Sequence, residues 1–447
     1  QSGALGQLIK KLLPEGKTTV FKAQARMLPP VAFVSAFLNN TPVVVIFAPI
    51  IKRWAEAVRL PATKFLIPLS YVTILGGICT LIGTSTNLVV HGMILEAGFE
   101  GFSMFELGKV GIFIAIAGII YIFLFSKRLL PDARPDTAVP DEEVEEGEKL
   151  HRVEAVLGAR FPGINKKLKD FNFQRHYGAE VKEIKTRNGQ RFVSNLEEVV
   201  LHEGDTLVVM ADDTFIPTWG ESSVFVLLTN GNEPDTTGKK KKRWFALLLL
   251  VLMIVGATVG ELPITKEMFP DIKLDMFFFV SITTIIMAWT NLFPARKYTK
   301  YISWDILITI ACAFAISKAM VNSGVADSVA KFIIGLSDDY GPHVLLAMVF
   351  IITNLFTELI TNNAAAALAF PLALSISAQL GVSPTPFFVV ICMAASASFS
   401  TPIGYQTNLI VQGIGNYKFT DFVRIGLPLN IITFLISIIL IPLIWNF

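Results

Sequence analysis

Four long runs of apolar residues decide which fold classes this chain can adopt. Each run approaches or reaches the roughly 20 residues that a helix needs to cross a bilayer. The runs cover residues 110–125, 244–260, 276–293 and 427–445. Only 17% of the residues are charged, whereas soluble domains contain about 25%. The sequence therefore predicts an all-α polytopic membrane protein.

A stretch of different composition interrupts the apolar sequence. Segments 178–193 and 203–213 alternate polar and apolar residues, with turns expected at Asn188-Gly189 and Gly204-Asp205, as is typical of short strands. We therefore expect a small α+β insert. The predicted organisation is a first membrane repeat at 1–126, an acidic linker at 127–150, the insert at 151–216, a linker at 217–242 and a second membrane repeat at 243–447.

Basic residues flank the insert on both sides. Lys127, Arg128 and Arg134 precede it, and a basic run at 239–243 follows it. Because cytoplasmic loops are enriched in Lys and Arg, we expect the insert to be cytoplasmic, in a multi-pass protein of the cell membrane in contact with lipid. The net charge of +2 and the lack of a basic patch with interleaved aromatic residues do not indicate nucleic-acid binding.

An internal repeat relates the two membrane parts. The segment CTLIGTSTNLVVHG at 79–92 aligns with STPIGYQTNLIVQG at 400–413, with identical residues at eight positions. Upstream, FLNNTPVVVIFAP at 37–49 pairs with LITNNAAAALAFP at 359–371. Both pairs recur in the same order at nearly the same offset, which indicates two copies of one structural unit.

The repeat leads to two further expectations. About 80 residues of membrane helices, at 243–322, precede the second copy and have no counterpart before Ser2-Gly3, so we expect the natural protein to have roughly that many more N-terminal residues. We also expect the copies to be inverted, because the helix ending near 126 then enters the cytoplasm and the last helix ends outside, where the uncharged tail PLIWNF fits.

Each repeat contains two polar breaks within apolar sequence. The first, Asn39-Asn40-Thr41-Pro42 or Thr361-Asn362-Asn363, suits the tip of a re-entrant hairpin, and the second, 83–87 or 404–408, interrupts a spanning helix. Backbone groups freed at membrane depth are costly unless they line a cavity. Small residues that allow close helix packing would explain a single break, but four breaks in two ordered pairs favour a binding site.

The residue types in the breaks indicate what they bind. Asn, Thr and Ser offer oxygens to a small cation and donors to an oxyanion, without fixed charge. Half-helix N-termini favour an anion, and the carbonyls freed at the opposite ends suit Na⁺. Because no Arg or Lys lies in the breaks, a divalent anion requires co-bound cations, and cation-coupled symport follows more naturally than uniport.

Other reactive residues are less informative. Glu358 is the only carboxylate of the second hairpin segment, and a functional acid and a hydrogen-bonded structural acid agree equally well with the sequence. His91 follows the first broken segment, where we expect a hydrogen-bonded polar residue rather than a proton carrier. Cys79, Cys312 and Cys392 lie in apolar stretches, where buried core residues are expected.

These motifs resemble the divalent anion:sodium symporter (DASS) family, and more narrowly its sulfate-transporter-like branch. The resemblance rests on FTELITNNAAAALAFP, LGGICTLIGTSTNLVVHG and ASASFSTPIGYQTNLIVQG. The insert is similar to a TrkA-C (RCK-C) domain. The resemblance implies an inverted-repeat homodimer with re-entrant hairpins and broken helices, which works by an elevator mechanism and couples to Na⁺.

The resemblance also implies the site residues. The family's hairpin-tip motif, Ser-Asn-Thr, reads Asn-Asn-Thr and Thr-Asn-Asn here, so the central asparagines are retained. One sodium site would use Ser35, Asn39, Asn40 and Gly83, and the other Thr357, Ile360, Asn362 and Gly404. The anion would lie near Asn39, Asn40, Thr41, Thr84, Thr361, Asn362, Asn363 and Tyr405.

The substrate and some alternatives stay open at this point. Carboxylate-transporting relatives usually have Pro-Pro-Asn in the second motif, whereas residues 85–87 and 406–408 read Ser-Thr-Asn and Gln-Thr-Asn. The additional donors suit a tetrahedral oxyanion, so sulfate is the first expectation and a di- or tricarboxylate the alternative. A ligand-gated channel predicts a Gly-Tyr-Gly filter, which the sequence lacks. An enzyme predicts clustered histidines, paired carboxylates in the membrane or a nucleophile elbow, and the sequence has none of these. The insert either binds a small regulatory ligand or assists dimerisation or folding.

Overall fold

The structure is a computed structural model with side chains. It describes residues 18–132, 150–158, 160–186, 190–212, 224–229, 240–260, 262–268, 276–292, 304–336 and 341–447, and in addition residues 9, 11–14, 16, 215, 219 and 274. The Ser2-Gly3 match, the acidic part of the first linker and the turn at Asn188-Gly189 lie outside the described residues.

The first membrane part consists of five described helices after residue 18. They are α1 (Val20–Ser35), α2 (Asn40–Ala57), α3 (Thr63–Gly77), α4 (Ser85–Glu96) and α5 (Gly108–Leu129). The chain breaks between α1 and α2 and again between α3 and α4, at the two predicted polar segments. Every residue of α3 is buried, as expected for a helix that is surrounded by other helices.

The insert contains a five-stranded antiparallel sheet with strand order β3-β2-β4-β1-β5. Its elements are β1 (His151–Leu157), the short helix α6 (Phe173–Tyr177), β2 (Glu180–Lys185), β3 (Arg191–Phe192), β4 (Thr206–Ala211) and β5 (Phe225–Thr229), with two single 3-10 turns. Gly204, at the predicted turn before β4, has a φ of +85°, a conformation that favours glycine.

The end of the insert differs from the sequence prediction. Strand β5 pairs with β1, with Val156 opposite Leu227, so the sheet continues into the segment 217–242 that the sequence assigns to a linker. The apolar run 224–228 lies between Gly220 and Asn230-Gly231, a strand signal that the sequence prediction missed. The predicted boundary at residue 216 is therefore wrong.

The second membrane part begins with five helices that precede its repeated hairpin segment. They are α7 (Lys240–Gly260), α8 (Pro263–Met268), α9 (Met276–Trp289), α10 (Trp304–Asn322) and α11 (Val325–Leu336). The helices of the second repeat follow: α12 (Gly341–Leu359), α13 (Asn362–Leu380), α14 (Thr385–Ser396), α15 (Gln406–Gly415) and α16 (Phe419–Ile444).

Four described helices, α5, α12, α13 and α16, are long and apolar enough to cross a membrane by length and composition. Helix α5 contains the predicted run 110–125, and α16 contains all but the last residue of the run 427–445. The run at 276–293 forms a helix of only 14 residues, shorter than predicted, and the run at 244–260 lies within the 21-residue helix α7. The protein is thus a multi-pass helical membrane protein, in agreement with its predicted class.

Cys312 does not occupy the buried position that the sequence predicts. It is exposed, whereas Cys79 is half-buried and only Cys392 is fully buried. Cys312 lies on α10, where Leu307 and Ile308 are also exposed. In a membrane protein an apolar stretch can face lipid, so apolar sequence alone does not predict burial within the protein.

The helices of the two repeats pack in corresponding pairs. Helix α1 packs on α3 as α12 packs on α14, and α3 packs on α5 as α14 packs on α16. Across the repeats, α15 packs on α2, and α4 packs on α13. Each broken helix therefore lies against the hairpin of the other repeat. The inversion of the two copies relative to the membrane stays a prediction.

Candidate binding site between the repeats

Four helix N-termini meet between the repeats. Helices α2 and α13 begin at the hairpin tips, and α4 and α15 begin at the breaks. Hydrogen bonds between side chains at these four ends join them into one cluster. This geometry places residues that are more than 300 positions apart in sequence next to one another.

Tyr405, directly before α15, joins both polar segments of the first repeat. Its hydroxyl accepts a hydrogen bond from Nδ2 of Asn40 at 2.6 Å and lies 2.9 Å from Oγ1 of Thr84. Thr41 donates to Oε1 of Gln406 at 3.2 Å. Tyr405, Asn40 and Thr84 are all buried, so this junction lies inside the protein.

The hairpin tip of the second repeat contacts α4 in a similar way. Nδ2 of Asn362 donates to Oγ1 of Thr86 at 2.6 Å. Oδ1 of Asn363 accepts from Ser85 at 3.2 Å and from Thr86 at 3.3 Å. Six of the eight predicted anion residues are thus in the cluster: Asn40, Thr41, Thr84, Asn362, Asn363 and Tyr405.

The helix ends in this cluster favour an anion. The residues that precede α2, α4 and α15, namely Asn39, Thr84 and Tyr405, make no side-chain capping bond to the helix that follows. Only Thr361 caps its helix, by accepting from the N–H of Ala364 at 3.4 Å. Uncapped N-terminal N–H groups and the positive ends of the helix dipoles attract negative charge.

Three predicted residues lie at the margin of the cluster. Asn39, Thr361 and Ile360 are exposed, and no described hydrogen bond joins the side chains of Asn39 or Thr361 to the opposite repeat. Their side chains are therefore not held in the cluster in this structure. Their assignment to the anion and sodium sites stays a prediction.

The first predicted sodium site has most of its residues together. Ser35 donates to Oδ1 of Asn40 at 2.8 Å. A Cβ atom at Gly83 would collide with the carbonyl oxygen of Gly77 and would lie 2.9 Å from that of Ala36. Both carbonyls lie just beyond or at helix C-terminal ends, where backbone oxygens are freed to bind a cation.

The second predicted sodium site resembles the first only in part. A Cβ atom at Gly404 would collide with the carbonyl oxygen of Thr357 and with Oγ of Ser398. Oγ1 of Thr357 itself donates to the carbonyl of Ala395 at 2.6 Å. Nδ2 of Asn362 donates to Thr86 of the first repeat, whereas Asn40 accepts from Ser35 of its own repeat. The two sites are therefore related but not identical.

Two threonines and two asparagines that stabilise the breaks are not among the site residues predicted from the sequence. Thr80 donates to the carbonyl of Ala36 and accepts from the N–H of Gly83, and Thr401 does the same with Glu358 and Gly404. Asn87 donates to the carbonyl of Thr80 at 2.9 Å.

Asn408 repeats this contact by donating to the carbonyl of Thr401 at 3.1 Å. All four residues are identical between the aligned repeats, Thr80 with Thr401 and Asn87 with Asn408. That identity was the signal in the sequence that would have identified them.

Glu358 and His91 both have hydrogen-bond partners. Oε1 of Glu358 accepts from the N–H of Ser400 at 2.8 Å and from Asn430 at 2.7 Å, whereas Oε2 is buried without a partner among the described residues. Nδ1 of His91 accepts from the N–H of Phe102 at 3.0 Å. His91 is therefore the hydrogen-bonded polar residue that the sequence predicted.

Comparison with known proteins gives a consistent result. The profile of a family described as citrate transporters matches residues 1–377 and, in a second overlapping match, residues 272–447. The uncharacterized transporter sll0640 of Synechocystis sp. is 30% identical over 92% of this chain and 81% of its own length. The uncharacterized transporter YfbS of Escherichia coli is 25% identical over 93% of this chain and 83% of its own.

A relative with a named activity matches over a shorter region. The sodium/sulfate cotransporter 2 of Chlamydomonas reinhardtii is 32% identical over 63% of this chain and 31% of its own length. The match covers less than a third of that protein, so its activity does not transfer directly to this chain.

Proposed function

The chain belongs to the citrate transporter family of divalent anion:sodium symporters, and from this premise we propose that it is a secondary active transporter that moves a divalent oxyanion, with sulfate as the first candidate, together with Na⁺. The observation that supports this most directly is the meeting of four helix N-termini, three of them uncapped, in a cluster of neutral side chains. In the part of the chain that the structure describes, no carboxylate is hydrogen-bonded to the six clustered anion residues.

We propose that the anion binds where the two hairpin tips face the opposite breaks. Asn40, Thr84 and Tyr405 form one side, and Asn362 with Asn363 forms the other. In this structure the side chains of both sides form hydrogen bonds with residues of the opposite repeat. An entering anion would replace these bonds with its own oxygens, so the donors would stay satisfied in both states.

The charge of the substrate requires the sodium ions. Neutral donors and helix dipoles compensate only part of a divalent charge, because each helix end is equivalent to about half a charge. We propose that Na⁺ binds at the carbonyls around Gly83 and Gly404, close to the hairpin tips. Binding of the cations and of the anion would then be mutually favourable, which makes the transport coupled.

Sulfate and carboxylates would place different demands on this site. Sulfate is compact and accepts hydrogen bonds on all sides, which suits the hydroxyl groups of Thr84, Ser85 and Tyr405. A di- or tricarboxylate is the second candidate, since the matching family is described as citrate transporters. The named sodium/sulfate cotransporter of Chlamydomonas reinhardtii favours the first.

The transport cycle and assembly are part of the proposal. We expect a homodimer in the cell membrane with the insert, a TrkA-C-like domain, in the cytoplasm. We expect the hairpins and broken helices to move as one body through an elevator-type motion. The packing of α15 on α2 and of α4 on α13 supports a single body, because each hairpin is held by the broken helix of the other repeat.

The proposal is tested by uptake into proteoliposomes. Purified protein is reconstituted, and uptake of radiolabelled sulfate is measured with an inward Na⁺ gradient and, as the control, with an equal K⁺ gradient. Labelled succinate and citrate are measured in parallel. We expect saturable sulfate uptake that needs Na⁺. Sodium-dependent uptake of a carboxylate without sulfate uptake would select the second candidate, and no Na⁺-dependent uptake of any of these anions would refute the proposal.

A further inference from the structure

The sheet of the insert has two faces with different surroundings. Val153, Ala155 and Leu157 of β1 pack in the core of the insert itself. Val156, which points to the other face, belongs instead to the core formed by the membrane helices. Across the sheet, Thr206 is paired with Val156 and with Lys185, so these three residues lie side by side on the face towards the membrane part.

This face touches α15 without any gap. A Cβ atom at Gly413 would lie 2.7 Å from Oγ1 of Thr206 and 3.5 Å from Cγ2 of Val156, and a Cβ atom at Gly204 would collide with Leu409. The absence of a side chain at Gly413 and Gly204 therefore permits the contact. Thr206 and Leu409 are both buried.

The same face forms an ion pair with α2. Nζ of Lys52 lies 3.4 Å from Oε2 of Glu154, and Nζ of Lys185 lies 3.4 Å from Oε1 of the same carboxylate. Burial alone would raise the pKa of Glu154, but Lys52, Lys185 and Arg152 together lower it below its ordinary value. The carboxylate is therefore charged at neutral pH and joins the insert to the membrane part.

The two contacted helices are those that begin at the candidate site. Helix α2 begins at Asn40 and α15 begins at Gln406, and their first turns are joined by the Asn40–Tyr405 and Thr41–Gln406 bonds. Lys52 lies 12 residues after Asn40, which is about 18 Å along a helix. The insert thus contacts α2 about 18 Å from its start and α15 at Leu409 and Gly413, while the site joins the first residues of both helices.

We propose that the docked insert restrains the separation of α2 and α15, and that its release from them increases the rate of transport. This inference rests on the proposed function, because it assigns a regulator to the same site. The anion reaches the cluster only when the bonds between the two helix starts open. A rigid sheet fixed to both helices opposes that opening, and a change that weakens its contacts favours it.

A reversible covalent lock tests the restraint. Gly413→Cys and Thr206→Cys are combined in a Cys312→Ser background, because the two new side chains would approach within disulfide distance, and Cys312 is exposed. Each new cysteine alone is the control, and every variant is compared with itself before and after oxidation, because a side chain at residue 413 loosens the contact even without a disulfide. We expect oxidation to form the disulfide within one chain, as shown by mass spectrometry, and to lower sulfate uptake at least fivefold. Dithiothreitol should restore uptake, and the single variants should not respond.

Two outcomes of this experiment would overturn the inference. The first is a disulfide that forms and leaves uptake unchanged or faster. The second is a pair of cysteines that react with maleimide but do not form the disulfide, which would mean that the insert does not dock in this way.

Weakening the ion pair tests whether release of the insert increases the rate of transport. Lys52→Gln removes the charge that faces Glu154 and keeps a side chain of similar length. We expect uptake to rise about two- to fivefold, in line with the strength of one partly exposed ion pair. Lys22→Gln, the same change at an exposed lysine of α1, is the matched control and should leave uptake near the wild-type rate. A fall in uptake for Lys52→Gln alone would contradict the inference.

A measurement that does not depend on transport separates this inference from the proposed function. Hydrogen exchange of the peptides covering 40–45 and 405–411 is compared between the oxidised and reduced double-cysteine protein. Locking should slow the exchange of both peptides, and equal exchange would refute the restraint. If the wild-type protein transports none of the tested anions, the proposed function fails, while the exchange data still decide whether the insert restrains these helices.

Discussion

The hydroxyl of Tyr405 lies 2.6 Å from Nδ2 of Asn40 and 2.9 Å from Oγ1 of Thr84. One side chain of the second repeat thereby joins the hairpin tip and the break of the first. Thr84 occupies the aligned position of the first repeat. Its side chain is too short to join the hairpin tip and the break of the second repeat in the same way. The site is therefore two-fold in its backbone and asymmetric in its side chains, as suits a single small anion bound between two copies.

Removal of this hydroxyl should weaken the anion site. We expect Tyr405→Phe to raise the KM for sulfate about three- to tenfold, because about 0.5–1.5 kcal/mol of hydrogen-bonding free energy is lost. The Na⁺ concentration at half-maximal uptake should change by less than twofold, since Tyr405 is not among the predicted sodium ligands. Uptake into proteoliposomes at varied sulfate and varied Na⁺ measures both quantities.

Tyr417→Phe is the matched control for this change. Tyr417 is also buried, and its hydroxyl also takes part in hydrogen bonds, among them those with the carbonyl of Thr63 and the N–H of Ile67. It lies after α15 rather than before it, outside the cluster of helix N-termini. An equal rise in KM in both variants would indicate a general effect of losing a buried hydroxyl and would contradict the role of Tyr405 in binding.

The sequence predicted the membrane class, the repeat and the positions of all four breaks, because apolar length, periodic identity and helix-breaking residues are local signals. It also selected six of the residues that cluster between the repeats. It did not predict the asymmetry, since the partner of Tyr405 is 365 positions away and no local pattern specifies that pairing. The sequence also did not predict that Val156 packs against membrane helices. Alternation along a strand separates its two faces, but it does not indicate which other part of the protein each face contacts.

The two glycines at the candidate sodium sites should tolerate no side chain. A methyl group at Gly83 would collide with the carbonyl oxygen of Gly77, and one at Gly404 with that of Thr357. We expect Gly83→Ala and Gly404→Ala each to lower Na⁺-dependent sulfate uptake at least tenfold, because those carbonyls must move from their present positions. Uptake at saturating and at low Na⁺ measures the effect.

Gly335→Ala provides the control for the glycine variants. Gly335 lies in α11, and a Cβ atom there has no neighbour within 4 Å, so the substitution should leave uptake unchanged. Wild-type uptake by Gly404→Ala would show that the space around its carbonyls is not needed, and would remove the main structural argument for a cation at that position.

The threonines of the breaks should act through the same carbonyls. Thr401→Val keeps the shape of the side chain but removes the hydroxyl that donates to the carbonyl of Glu358 at 3.0 Å and accepts from Gly404 at 3.3 Å. We expect the Na⁺ concentration at half-maximal uptake to rise about threefold to tenfold, and Thr80→Val to act in the same direction. Sodium titration of sulfate uptake is the measurement.

Thr73→Val tests whether any buried threonine would give this result. Thr73 is buried in α3, and its hydroxyl donates to the carbonyl of Leu69 within the same helix at 2.7 Å. Its loss should not change the sodium dependence. If Thr401→Val and Thr73→Val reach half-maximal uptake at the same Na⁺ concentration, the predicted role of Thr401 in sodium binding is wrong.

Substitutions of Glu358 distinguish a structural role of this side chain from a role that needs its negative charge. Its Oε1 atom accepts from the N–H of Ser400 and from Asn430, and both donors would lose their acceptor in Glu358→Ala. We expect that variant to be destabilised by about 1–3 kcal/mol per group left unpaired, with a lowered melting temperature in detergent. Glu358→Gln retains an oxygen acceptor at nearly the same place, so its melting temperature should stay near that of the wild type.

Uptake by Glu358→Gln then decides the role of the charge. Oε2 of Glu358 is buried and has no hydrogen-bond partner among the described residues, and a buried carboxylate oxygen without a partner is costly. If the acid is structural, the glutamine variant should transport sulfate within about twofold of the wild-type rate. A stable Glu358→Gln protein that has lost Na⁺-dependent uptake would instead show that the negative charge itself takes part in transport, because folding and hydrogen bonding would be preserved while only the charge had changed.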